Sequence, residues 1–180
     1  VHAVDASGNA GPTSAAVTAT TAADASVLFG DTFTATDGAA WSAPWVTTAA
    51  NGSATVHGGA GRLAIDDVSG ASTRAQLNVA AQADADLLLS YRWASATPGA
   101  YLNVYLRGSG GWQNTYRPRN GYGVQLTSSS STATVQKNVN GTVSTLRTVT
   151  GAQSVSTATQ WLRLRVVSSS IQFRIWTEGQ

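Results

Sequence analysis

The chain has 180 residues, 11 Lys plus Arg against 9 Asp plus Glu, a formal net charge of +2, and neither Cys nor Met. That length accommodates one domain with some additional chain, and the missing thiols exclude disulfide, thiolate and cysteine-ligated zinc chemistry. Charged residues make up only 11% of the chain; the ten arginines form no run of the kind that tracks phosphates, so nucleic acid is not an expected partner, and no apolar stretch approaches the ~20 residues of a membrane-spanning helix.

In chain order, the first segment reads Val1-His2-Ala3-Val4-Asp5-Ala6-Ser7-Gly8-Asn9 and continues through Val17-Thr18-Ala19-Thr20-Thr21. Alternation on either side of a Gly/Asn turn predicts a short β ribbon over residues 1–21. It resembles the last two strands of a fibronectin type III domain. Two strands cannot build a sandwich alone, so the ribbon is expected to be a domain remnant or to pair with a neighbour. Residues 22–26 are small and read as a linker.

From residue 27 onward no helical period is sustained. Apolar residues alternate, and Gly, Asn, Ser and Asp recur every ten residues or so, which predicts an all-β sandwich or barrel. Strands are expected at 27–34, 54–57, 62–66, 73–79, 85–94, 100–107, 121–128, 132–139, 142–149, 160–167 and 170–177. Asn140-Gly141 is the strongest hairpin signal, because both residues accept positive φ. Leu162, Leu164, Val166, Ile171, Phe173 and Ile175 are expected to face inward, with Arg163, Arg165, Gln172, Arg174 and Trp176 facing out. Trp41, Trp45, Trp93 and Trp161 are expected in the core, Trp93 and Tyr91 by continuing the face of Leu87 and Leu89.

Gly30-Asp31-Thr32-Phe33, Trp41, Trp45, Gly61-Arg62-Leu63, Asn120-Gly121-Tyr122-Gly123-Val124, Gln160-Trp161-Leu162-Arg163-Leu164-Arg165-Val166 and Phe173-Arg174-Ile175-Trp176 resemble a concanavalin or laminin-G-like module. The resemblance implies an antiparallel two-sheet jelly-roll sandwich over residues 27–180. Such modules follow fibronectin type III repeats in secreted or phage-tail multi-domain proteins, which makes an extracellular location the expectation. This fold hosts many activities, so function must come from residues.

Catalysis finds little support. Glycoside hydrolysis needs two flanking carboxylates, but Glu178 is the only Glu, and Asp66 and Asp67 are adjacent and point apart. Asp84 and Asp86 share a face only at a strand start. A lyase would need a Tyr or His base and an Arg or Gln to neutralise a uronate carboxylate. Thr73-Arg74-Ala75-Gln76-Leu77 puts Arg74 and Gln76 on one face, yet His57 has no partner motif. No Ser nucleophile elbow is present. Asp31, Asp37, Asp66 and Asp67 are candidate ligands for a structural Ca²⁺, which takes hard oxygen donors, and the resemblance implies such a site.

The strongest functional signal is the alternating run Tyr101-Leu102-Asn103-Val104-Tyr105-Leu106-Arg107. Side chains in a strand point alternately to opposite faces, so Leu102, Val104 and Leu106 face a core. Tyr101, Asn103, Tyr105 and Arg107 then form a row of rings, amide and guanidinium on the other side. Trp112, Tyr116 and Arg117 follow in Gly108–Arg119, read as a Gly-rich loop converging on that row, with Arg92 and Gln125 joining from neighbouring strands. Rings stack on sugar faces while Arg, Asn and Gln reach hydroxyls. The expectation is a non-catalytic module binding a polysaccharide or cell-surface glycan. The alternatives are a structural or adhesion module of a surface filament or tail fibre, self-associating through its ribbon, and a polysaccharide lyase.

Overall fold

The computed structural model describes residues 27–94, 99–113 and 117–180. The predicted ribbon over 1–21 and linker over 22–26 lie outside them. The chain divides into two units, Val1–Thr32 and Phe33–Gln180.

The described residues are all-β, with eleven strands and no helix: β1 (Trp45–Ala50), β2 (Gly52–Val56), β3 (Gly61–Ile65), β4 (Ser72–Leu77), β5 (Ala85–Tyr91), β6 (Tyr101–Gln113), β7 (Arg117–Thr127), β8 (Ser130–Val139), β9 (Thr142–Val149), β10 (Gln160–Val167) and β11 (Ser170–Thr177). All pairings are antiparallel. One sheet runs β6-β7-β8-β9, a second β11-β10-β5, and β1-β4 and β2-β3 form two-stranded ribbons.

The two larger sheets share one core, which makes the arrangement sandwich-like. Val104, Val124, Leu126, Ala133 and Val135 from the first meet Leu162 and Leu164 from the second. Leu87, Leu89, Tyr91, Trp93, Leu102, Leu106, Ile171, Phe173 and Ile175 pack around them. The period of two dictates this outcome, since Leu102, Val104 and Leu106 of β6, Val124 and Leu126 of β7, Leu162, Leu164 and Val166 of β10, and Ile171, Phe173 and Ile175 of β11 fall on alternate positions. Burying each such side chain contributes about 1.5–3 kcal/mol. Hairpins join the strands where the sequence placed them: Asn140 and Gly141 both take positive φ between β8 and β9.

At one side the sheets stay open. The edge strands β9 and β11 border a groove of about 750 Å³ lined by Val135, Leu146, Val149, Ile171, Phe173 and Ile175. An extra residue in β9, Leu146, bulges where the register jumps from Val135↔Arg147 to Gln136↔Thr145, and it is exposed.

The ribbons hold a separate aromatic cluster. Trp41 lies 4.7 Å from Phe33 and 5.2 Å from Trp45, centroid to centroid, and its indole N–H donates to Thr55 O at 3.0 Å. Two expectations change here. Val27–Thr34 forms no strand, and Phe33 takes a φ of 51° inside it, outside the extended region that a strand needs. In its place β1 pairs with β4, and Trp45 joins the ribbon cluster.

Candidate functional site

The non-core face of β6–β9 is built mainly from uncharged polar groups, with the Arg117 guanidinium near enough to act on Tyr105. Register sets Asn103 opposite Gln125, Tyr105 opposite Gly123, and Gly123 opposite Gln136. Because Gly123 has no side chain, the Tyr105 ring lies across it: a Cβ there would stand 2.7 Å from the ring's Cδ1. The ring thus bridges β7, and its hydroxyl donates to Gln136 Oε1 on β8 at 2.8 Å, with Asn138 Oδ1 at 3.4 Å.

Amide groups continue the chain laterally. Gln136 Nε2 donates to Gln125 Oε1 at 3.3 Å, and Gln125 Nε2 donates to Asn103 Oδ1 at 3.0 Å. Asn138 Nδ2 donates to Pro118 O at 2.8 Å. Gln136 and Asn138 are buried, at 5% and 2% exposure, and their bonding answers the rule that buried polar groups must be paired. Asn103, Tyr105 and Gln125 are half-buried, and Tyr101 at the start of the row is 59% exposed. Burial pushes the Tyr105 phenol above its ordinary value, while the Arg117 charge and the Asn138 bond pull it partly back. The phenol therefore stays protonated at neutral pH as a donor to amide oxygens, which suits anchoring and not general-base chemistry.

Arg107 departs from the expected row. The alternation ends at Leu106, and the next paired residue is Ser109 opposite Asn120. Arg107 sits at φ 54° in this bulge, and bulges re-aim side chains. Its guanidinium turns toward the β10–β11 connection, donating to Ser168 O and Asp84 Oδ1, both at 2.8 Å, and more weakly to Val166 O at 3.4 Å. Asp84 also accepts from the Ser168 N–H. Arg107 is a strut between strand ends, not a member of the ring-and-amide row.

Gly108–Arg119 is likewise not a free loop, because most of it extends the β6–β7 ladder. A second irregularity lies between Ser109 and Trp112, where Gly110 and Gly111 take positive φ. Trp112 pairs with Pro118, and Gln113 with Arg117. The indole N–H of Trp112 donates to Gln76 Oε1 at 3.1 Å, and the Arg74 guanidinium stands 4.5 Å over its ring. β4 therefore supplies two residues to this end of the site. The sequence singled them out as a shared face but not as partners of Trp112.

Tyr116 lies outside the described residues. Arg92 is not brought to the row, because it follows β5, and β5 pairs with β10 in the other sheet. Gln125 takes the expected position beside Asn103. Gln136 and Asn138 were missed, although they share a strand face with Thr134 by the same period of two that identified Tyr105. Trp161 is not in the core: it pairs with Trp176 on the side opposite Leu162 and Leu164, as the alternation Trp161-Leu162-Arg163-Leu164 itself requires.

Of the acidic candidates, Asp31 belongs to the first unit and the other three to the second. Asp37 accepts from the Gly58 N–H at 2.8 Å and stands 3.3 Å from His57 Nδ1, and Asp66 and Asp67 are exposed beyond β3. Among the described residues no three His, Cys, Asp or Glu side chains cluster to hold a metal ion. No protein-family model, curated protein or solved structure matches this chain.

Proposed function

We propose that residues 33–180 form a non-catalytic glycan-binding module, a jelly-roll-type sandwich working within a secreted multi-domain protein. The observation that carries this reading is the ring-and-amide face of β6–β8: an exposed Tyr101 ring beside Asn103 and Gln125, with the Tyr105 ring fixed across Gly123 by its bond to Gln136. Rings offer flat apolar area at low entropy cost, and amides both donate and accept, the pairing that sugar C–H faces and hydroxyls require. Anchoring of Tyr105 before ligand arrives reduces the ordering cost of binding. Trp112, under Arg74 and bonded to Gln76, extends the surface along β6.

Isothermal titration of the full chain against neutral oligosaccharides chosen from a glycan array tests this reading. Tyr101→Ala is expected to weaken binding about tenfold without lowering Tm, whereas Gln125→Ala should weaken it as much and also lower Tm, because the buried Gln136 amide loses its acceptor. A folded protein that retains no neutral glycan, or variants that bind as well as the parent, overturns it.

The second reading, a structural or adhesion module, draws on the apolar groove between β9 and β11. Unpaired edges beside exposed apolar surface invite pairing with another copy. Concentration-dependent light scattering that is lost in Leu146→Lys favours this reading over the first.

A further inference from the structure

The outward face of the β5-β10-β11 sheet differs in chemistry from the face described above. Trp161 and Trp176 are cross-strand partners whose rings lie 6.3 Å apart, centroid to centroid, and 12° from parallel. Arg163 pairs with Arg174 across β10 and β11, and Arg165 with Gln172. Leu88 and Asp86 of β5 sit opposite Arg163 and Arg165. Leu88 on the edge strand β5 is 56% exposed, and the Arg163 and Arg165 side chains on the central strand β10 are 58% and 50% exposed. Among the described residues of these three strands, the guanidiniums of Arg163, Arg165 and Arg174 stand on this face with the one carboxylate of Asp86.

The use made of that carboxylate reveals what the face recognises. Arg163 grips Asp86 with two parallel bonds, Nε to Oδ1 at 3.0 Å and Nη2 to Oδ2 at 2.6 Å. This bidentate geometry is the one by which a guanidinium reads a planar carboxylate. Arg165 lies only at the edge of this pair, 4.0 Å from Asp86 Oδ2, and Arg174 stands 5.5 Å over the Trp176 ring. Among the described residues Asp86 is the carboxylate these three guanidiniums share, and Arg163 already takes both its oxygens. The Trp pair supplies apolar ring area directly alongside.

We propose that this face is a second binding surface, for an acidic polysaccharide whose carboxylates engage Arg165 and Arg174 while its sugar rings lie on Trp161 and Trp176. A single-stranded nucleic acid fits less well, because three arginines, one of them already engaged by Asp86, form no track along which a phosphate backbone could run. The proposal is independent of the neutral-glycan reading, because the two surfaces lie on the outer sides of different sheets.

The test is binding of the full chain to polygalacturonate, with a neutral glucan, a sulfated dextran, a single-stranded oligonucleotide and phosphatidylglycerol vesicles in parallel arms. Polygalacturonate is expected to bind most tightly and to weaken steadily with added salt, since exposed charges are screened. Arg165→Gln with Arg174→Gln should lower that affinity at least about tenfold, and Trp176→Ala should lower it further, while Tyr101→Ala leaves it unchanged. The double variant should bind neutral glycans as the parent does, so failure of either site is visible separately. The proposal is overturned by salt-insensitive or absent polygalacturonate binding in the parent, by an unaffected double variant, or by tighter binding to sulfated dextran, oligonucleotide or vesicles.

Discussion

The two outward faces grow from the same rule and reach opposite chemistries. On β6–β8, the polar positions are short amides and a phenol that reach sideways to one another, so hydrogen bonds run across three strands and bury Gln136 and Asn138. On β5-β10-β11 the same positions carry arginines and tryptophans, which stand up from the sheet and meet water. Alternation decides only which side is apolar. The length and charge of the other side chains decide whether that face becomes part of the stabilised interior or remains available for contact. Substitutions on the amide face should therefore cost stability, and those on the arginine face should not.

The sharpest break in this contrast is Gly123→Ala. A Cβ at this position would stand 2.5 Å from Val104 O and 2.7 Å from the Tyr105 ring, so the ring must leave the strand and release its bond to Gln136. Overpacking of this kind costs about 1–3 kcal/mol. Tyr105→Phe keeps the ring and removes the donor, leaving buried amide oxygens short of a partner at about 1–2 kcal/mol. Because both changes sever one bond, the double variant should lose less than the sum, a coupling that denaturant unfolding measures. Arg174→Gln, on the other face, should leave the unfolding midpoint unchanged.

Arg107 tests the boundary between the faces, because the sequence assigned it to the row of rings and the fold uses it as a strut. Arg107→Gln removes bonds to Asp84, Val166 O and Ser168 O at strand ends that water can reach. The expected loss is about 1 kcal/mol, smaller than that for Gly123→Ala, with neutral-glycan affinity unaffected. A fall in affinity at unchanged stability would return Arg107 to the binding row.

How far the molecule was legible follows from the range of the forces involved. Strand positions from β2 to β11, except the far end of β6 and the start of β7 that read as a loop, and the two inward-facing sets came from period-two patterning, which is local. The position of Arg107 did not, since its partners lie 23, 59 and 61 residues away and a bulge with positive φ reversed its direction. β1 was missed because Trp45-Val46-Thr47-Thr48-Ala49-Ala50 carries little alternation and is held by pairing with β4. Arg74 and Gln76 were noticed as a shared face, but their meeting with Trp112 depends on how a distant ribbon is arranged. The outward position of Trp161 was readable, and only the size of its ring argued for the core.

Titration separates the two faces at opposite ends of the pH scale, with the smallest expected effect. The Asp86 carboxyl lies below its ordinary value of 3.8, chiefly through the Arg163 hydrogen bond, with burial opposing and the Arg163 and Arg165 charges assisting. A depressed carboxylate contributes stability that is present above the unfolded value and lost as pH falls through the folded one. Because the pair is largely exposed, that contribution is small. Tyr105 moves the other way: burial raises it above 10.0, so its contribution is complete below that value and lost as pH climbs beyond it. Burial raises Tyr91 as well, its hydroxyl donating to Gln153 Oε1 at 3.0 Å on the core side. Denaturant midpoints followed across pH should fall at both extremes. Asp86→Asn should flatten only the acid limb. Tyr105→Phe should reduce the slope of the alkaline limb without abolishing it, because Tyr91 still titrates there. An acid limb that survives in Asp86→Asn would mean that the bidentate pair is too well solvated to stabilise the sheet, and that Arg163 is as free as Arg165 to take a ligand's carboxylate.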